Sequence, residues 1–158
     1  MLQEGRLSIY GRWGDLPDSV LLILADGYPS EATPIDPEVF QEAAKKRLRL
    51  YIEFPSSLPG MSVGKPQLVS LGRYDNVLER VVVTSDAFAP ALKKMRILSL
   101  HECYYTPASA KAPELVLARV AGFDTAIYGL PQEGVHPILF KDPEHHILIA
   151  TTKLSSFI

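Results

Sequence analysis

A single cysteine, Cys103, in 158 residues rules out an internal disulfide and any multi-cysteine zinc site. Charge of one sign is also missing, since 16 Lys and Arg stand against 18 Asp and Glu for a formal net charge of -2. Phosphate backbones are held by clustered cations, so this balance excludes a nucleic-acid face. The two dense basic spots, Lys45-Lys46-Arg47 and Lys93-Lys94, read as solvated helix-end and loop residues. No apolar run approaches the ~20 residues that span a bilayer, and Met1 to Gly5 lacks the charged and apolar regions of a signal peptide. The chain as given therefore reads as soluble, with no membrane partner. Gly11-Arg12-Trp13-Gly14 has neither the glycine spacing nor the following lysine and hydroxyl of a phosphate loop. His145 and His146 are sequence neighbours, which cannot easily ligate one ion together. No metal and no cofactor is implied. Repeats and low-complexity segments are absent as well.

What is present is apolar. With 47% hydrophobic residues and 22% charged ones, residues 1–158 fit one domain with a substantial core. The clearest pattern runs from Ser19 to Pro55. Val20 to Ala25 is a continuous apolar run, as in a strand buried on both faces, and it ends in the turn residues Asp26-Gly27-Tyr28-Pro29. Asp36 is placed as a helix N-cap with Pro37 in the first turn. Val39, Phe40, Ala43 and Ala44 mark an apolar face, and the cations at 45–47 suit the helix's negative end. A second strand, Leu48 to Phe54, stops at Pro55. Two strands joined by one helix are expected to lie parallel and adjacent.

Strand-like runs dominate beyond Pro55: Gln67–Leu71, Arg80–Thr84, Arg96–Leu100, Glu114–Val120 and Asp124–Tyr128. Pro137–Phe140 and Ile147–Ala150 flank Asp142-Pro143-Glu144-His145, a sequence suited to a hairpin turn. Only Ala89 to Met95 offers further helix, of two turns at most. A parallel sheet needs cover on both faces. Two solutions stay open: helices outside this chain, which would make it a module of a longer protein, or a homodimer that buries the bare face.

In open α/β sheets ligands collect beyond the carboxyl ends of the strands. Those ends carry Asp26, Tyr28 and Glu31, then Glu53, then Asp86, then His101 and Cys103, and these seven are the candidate ligand-binding residues. Two chemistries are open to them. Asp26 and Glu53 on adjacent strands can face one cleft as a general acid and base of the glycosidase kind. Cys103 with a histidine can form a thiol nucleophile. His101, Glu102 and Cys103 are consecutive, however, and adjacent side chains of a strand point to opposite faces, so His101 and Cys103 can share a side while Glu102 faces away, and the trio is not a triad.

Ala25–Pro29, Tyr51–Pro55, Val81–Phe88, Leu100–Cys103 and Ile149–Ser155 together resemble the glutamine-amidotransferase-like domains of bacterial carbohydrate-active proteins. The resemblance implies a flavodoxin-like α/β fold with a mainly parallel sheet, few helices and an antiparallel hairpin near the C-terminus. It also implies a non-catalytic accessory role beside a neighbouring catalytic domain, with a carbohydrate as the ligand. The family's catalytic pattern is not matched: Glu102 and Tyr104 flank Cys103 in place of glycines, and His136-Pro137 is followed by Ile138 rather than a glutamate. No catalytic residue is carried over. The expectation is an accessory module that binds a ligand or forms an interdomain or oligomer surface, with a hydrolase as the alternative.

Overall fold

The computed structural model describes residues 19–70, 78–98, 103–119 and 129–155. Strand β1 (Val20–Ile23) leads through helix α1 (Pro37–Lys45) to β2 (Arg49–Glu53). There follow β3 (Gln67–Leu68), β4 (Glu79–Val83), β5 (Ile97–Leu98), β6 (Tyr104–Tyr105), β7 (Leu115–Arg119), β8 (His136–Asp142) and β9 (Ile147–Ala150). Seven of these form one sheet in the order β1-β2-β9-β8-β7-β4-β5, and β3 pairs with β6 as a separate antiparallel ribbon.

The β-α-β unit forms as expected. β1 and β2 are parallel, with Leu21 opposite Leu50 and Ile23 opposite Ile52. Asp36 accepts the Glu38 N–H at 2.9 Å, capping α1. At the other end Leu48 N–H reaches the Ala43 carbonyl and Arg47 N–H the Ala44 carbonyl, with Arg47 at φ 53°. That pairing is a Schellman closure, with arginine in the left-handed position glycine usually takes.

The flavodoxin-like, mainly parallel sheet is not what forms. Only β1–β2 and β2–β9 are parallel; β9–β8, β8–β7, β7–β4 and β4–β5 are all antiparallel, and the mixed sheet curls into a half-barrel. Parallel neighbours need a crossover of about helix length, and α1 is the one helix among the described residues. Strands joined without helices pair antiparallel, as β8 and β9 do through the expected turn. Residues 87–91 make turns instead of the expected helix. The candidate strand Asp124–Tyr128 lies outside the described residues.

Curling covers much of the sheet from within. One face of β2 and β9 presents Leu50, Ile52, Ile147 and Ile149 to α1 through Val39 and Ala43. On the opposite face Val81, Val83, Leu115, Leu117 and Ile138 pack with Val69, Cys103 and Tyr105, which come from the β3–β6 ribbon and its flanks. Gly64 donates its N–H to the Pro107 carbonyl at 2.7 Å, and a Cβ there would stand 3.1 Å from that proline's ring. The close approach requires glycine. β1 departs from expectation too: Val20, Leu22 and Leu24, on one side of the strand, are exposed rather than buried.

Candidate functional site

Strands β1, β2 and β9 run in one direction, so Ala25, Glu53 and Thr151 emerge at one end of the sheet. Beyond β9, β8 and β7, β4 runs the opposite way, and the registers set its last residue, Val83, level with Leu115, Leu139, Ala150 and Glu53. Asp86, exposed just past β4, follows a strand that runs against β2 and stands four places from it in the sheet, so the chain there leaves in the opposite direction from Asp26. His101 lies outside the described residues.

Glu53 organises this end. It is fully buried, and its carboxylate accepts four hydrogen bonds. Oε1 takes the Tyr51 hydroxyl at 2.9 Å and the Ser155 N–H at 2.7 Å, while Oε2 takes the Ser155 hydroxyl at 2.9 Å and the Ala25 N–H at 3.4 Å. Tyr51 stands two residues before Glu53 on β2, so both side chains leave the same face. Burial, then the adjacent carboxylate, raises the Tyr51 hydroxyl far above its ordinary range. It therefore acts as a donor. The next residue, Phe54, is buried at φ 48°, a left-handed position that costs a bulky residue of order 1–2 kcal/mol. Its neighbours hold it there: Phe54 N–H donates to the Ala150 carbonyl, and its own carbonyl accepts the Thr33 N–H at 2.7 Å.

Tyr28 forms a second node. Its ring meets Phe54 edge-on at 4.9 Å. Its hydroxyl oxygen accepts the Tyr104 N–H at 2.7 Å, and the Tyr104 carbonyl accepts the Thr152 hydroxyl at the same distance. Tyr28 thus ties the β3–β6 ribbon to the main sheet. Cys103 is buried beside this node, and desolvation raises its thiol above the ordinary value despite hydrogen bonds with Tyr28 and Thr152. A neutral, enclosed thiol is a poor nucleophile. Asp26 and Glu31 are exposed, whereas Glu53 is not, so the two carboxylates of the proposed acid–base pair do not share a water-filled cleft.

The structure thus brings together Tyr28, Glu53 and Cys103, leaves Asp26 and Glu31 on the surrounding surface, and sets Asp86 beyond a strand four places from β2. Tyr51, Thr152 and Ser155 were missed. The i, i+2 spacing of Tyr51 and Glu53 is a signal that could have paired those two; nothing local announces Ser155, which is 102 residues away from its partner. Among the described residues no group of three metal-ligating side chains converges, and no helix is long and apolar enough to cross a membrane. Neither a family model nor a curated protein nor a solved structure matches this chain. The amidotransferase-like and flavodoxin-like expectation therefore has no support from relatives, and the mixed sheet contradicts its fold.

Proposed function

We propose that this chain is a non-catalytic binding module of a carbohydrate-processing protein, presenting the end of the sheet at β1, β2 and β9 to a sugar ligand. The observation that carries the reading is the engagement of the two groups a hydrolase would draw on there: Glu53 is buried under four donors, and Cys103 is buried with a raised pKa. Around them lie the exposed carboxylates Asp26 and Glu31 and the half-buried rings of Tyr28 and Tyr104. Carboxylates that accept from hydroxyls, beside aromatic faces, suit a polyhydroxylated ligand.

Calorimetry with cellohexaose, xylohexaose, mannohexaose and chitohexaose tests this. Saturable binding to one of them, lost in Asp26→Ala/Glu31→Ala with the melting temperature unchanged, is the expected result. Turnover of a chromogenic glycoside or ester by the same protein would overturn the non-catalytic reading. A second reading, an interdomain or oligomer surface, is favoured by the Val20, Leu22 and Leu24 stripe, exposed at 59%, 55% and 41%. Sedimentation of wild type against Leu22→Glu distinguishes it, because only an apolar interface dissociates in the variant.

A further inference from the structure

We infer that Ser155 is a built-in stopper: with Glu53 fully enclosed, it occupies the hydrogen-bonding positions that a vicinal diol of a sugar would take on that carboxylate. The inference rests on the binding role proposed above and deepens it. Ser155 donates its N–H to one oxygen of the carboxylate at 2.7 Å and its hydroxyl to the other at 2.9 Å. Those two donors sit on adjacent carbons, the same heteroatom–carbon–carbon–heteroatom arrangement as two neighbouring ring hydroxyls. A carboxylate with two acceptor oxygens meets either pair in the same bidentate way.

Two further observations separate this contact from ordinary packing. The four donors to Glu53 among the described residues are all uncharged, so none of them offsets the desolvation of a buried carboxylate with a charge of opposite sign. A strut with no other role would be served by an amide or an apolar side chain. Moreover, Phe54 holds a left-handed backbone immediately after Glu53, the kind of maintained strain that accompanies binding sites. Ser155 itself is only half-buried, whereas Glu53 is fully enclosed, and Ser155 follows Thr151 by four residues beyond β9, on the strap of residues 151–155. Tyr51, half-buried on the other side, stays in place as a third donor to the carboxylate and a flanking ring. Moving the strap uncovers a preformed acceptor pair.

The stopper lowers apparent affinity by the fraction of molecules in which the strap is open. Ser155→Pro removes both donors at once, and Ser155→Ala removes the hydroxyl alone. Calorimetry with the same four hexasaccharides is expected to show at least tenfold tighter binding by Ser155→Pro than by wild type, about 1.4 kcal/mol. A smaller gain is expected for Ser155→Ala, and loss of the gain in Ser155→Pro/Glu53→Gln. Hydrogen exchange at the Ser155 amide reports the strap without any ligand: Glu53→Gln is expected to speed it while amides of β2 and β9 stay protected. If wild type binds a hexasaccharide and neither Ser155 variant binds it more tightly, the stopper is refuted while the binding role stands. If no protein in the series binds, both fall. Should Ser155→Pro not fold, Ser155→Ala and the exchange experiment decide.

Discussion

The replacement of Glu53 by glutamine and by alanine measures how much of the fold hangs on one carboxylate. In the native protein the two oxygens satisfy two backbone N–H groups, Ala25 and Ser155, and two hydroxyls, Tyr51 and Ser155. Glutamine keeps one acceptor oxygen. If that oxygen stays with Tyr51 and the Ser155 N–H, the new amide group faces the Ser155 hydroxyl, which can turn and accept, and the Ala25 N–H, which cannot. Charge assistance is lost on the remaining bonds, and each falls from about 1.5–3 kcal/mol to about 0.5–1.5 kcal/mol. The neutral amide escapes the desolvation penalty of a buried carboxylate, which offsets part of these losses, so the expected net cost of Glu53→Gln is about 2 kcal/mol. Alanine leaves both N–H groups without an acceptor, at about 1–3 kcal/mol each, and opens a void, so Glu53→Ala is expected to cost about 4 kcal/mol. Against a total stability of roughly 5–15 kcal/mol the second loss is severe. Equilibrium urea unfolding reads both as falls in midpoint at constant slope. If Glu53→Ala unfolds within about 0.5 kcal/mol of wild type, the account of Glu53 as the organising acceptor is wrong.

Arg47→Gly relieves the left-handed backbone at the end of α1, and denaturant unfolding is expected to show a gain of about 0.5–1 kcal/mol; a loss would mean the arginine side chain matters more than the backbone. Ile52→Ala, at a fully buried position on β2, is expected to cost about 2–5 kcal/mol, whereas Leu22→Ala on the exposed side of β1 should change stability by no more than about 0.5 kcal/mol. Burial is the leading cause of raised pKa values at Cys103, Tyr28, Tyr51 and Tyr105, the last to about 12, from ordinary values of 9.0 for the thiol and 10.0 for the phenols. Above those ordinary values the unfolded chain releases protons that the native state retains, so the slope of stability with pH is negative. The melting temperature is therefore expected to hold below pH 9 and to fall progressively above it; a flat profile to pH 11 would contradict the burial of these groups. Native Cys103 is expected to react with a thiol reagent at pH 8 much more slowly than in urea, and equal rates would show an open site.

Local chemistry was readable in this chain. Asp36 and Pro37 announced the start of α1, the apolar residues Val39 and Ala43 its buried side, and the Asp142–His145 turn the β8–β9 hairpin. Those signals act over a few residues, through capping, turn geometry and side-chain period, and they are present before any tertiary contact forms. The parallel neighbours β1 and β2 followed from the same reasoning, since the crossover length between them admits little else. What misled was extending that one unit to the whole sheet. An apolar strand reads alike whether its neighbour is parallel or antiparallel, so Val81, Val82 and Val83 could not show that β4 runs against β2 and lies four places from it in the sheet.

The sequence by itself determined the β-α-β unit, the hairpin and the presence of carboxylates and tyrosines at strand ends, because each is encoded in contiguous residues. Only the tertiary structure decided which of them meet. The pairing of β9 with β2 brings Ser155 to Glu53 across 102 residues, and the β3–β6 ribbon brings Cys103 to Tyr28. Such contacts are selected by long-range strand register and by the demand that every buried polar group find a partner, conditions that exist only once the sheet has closed.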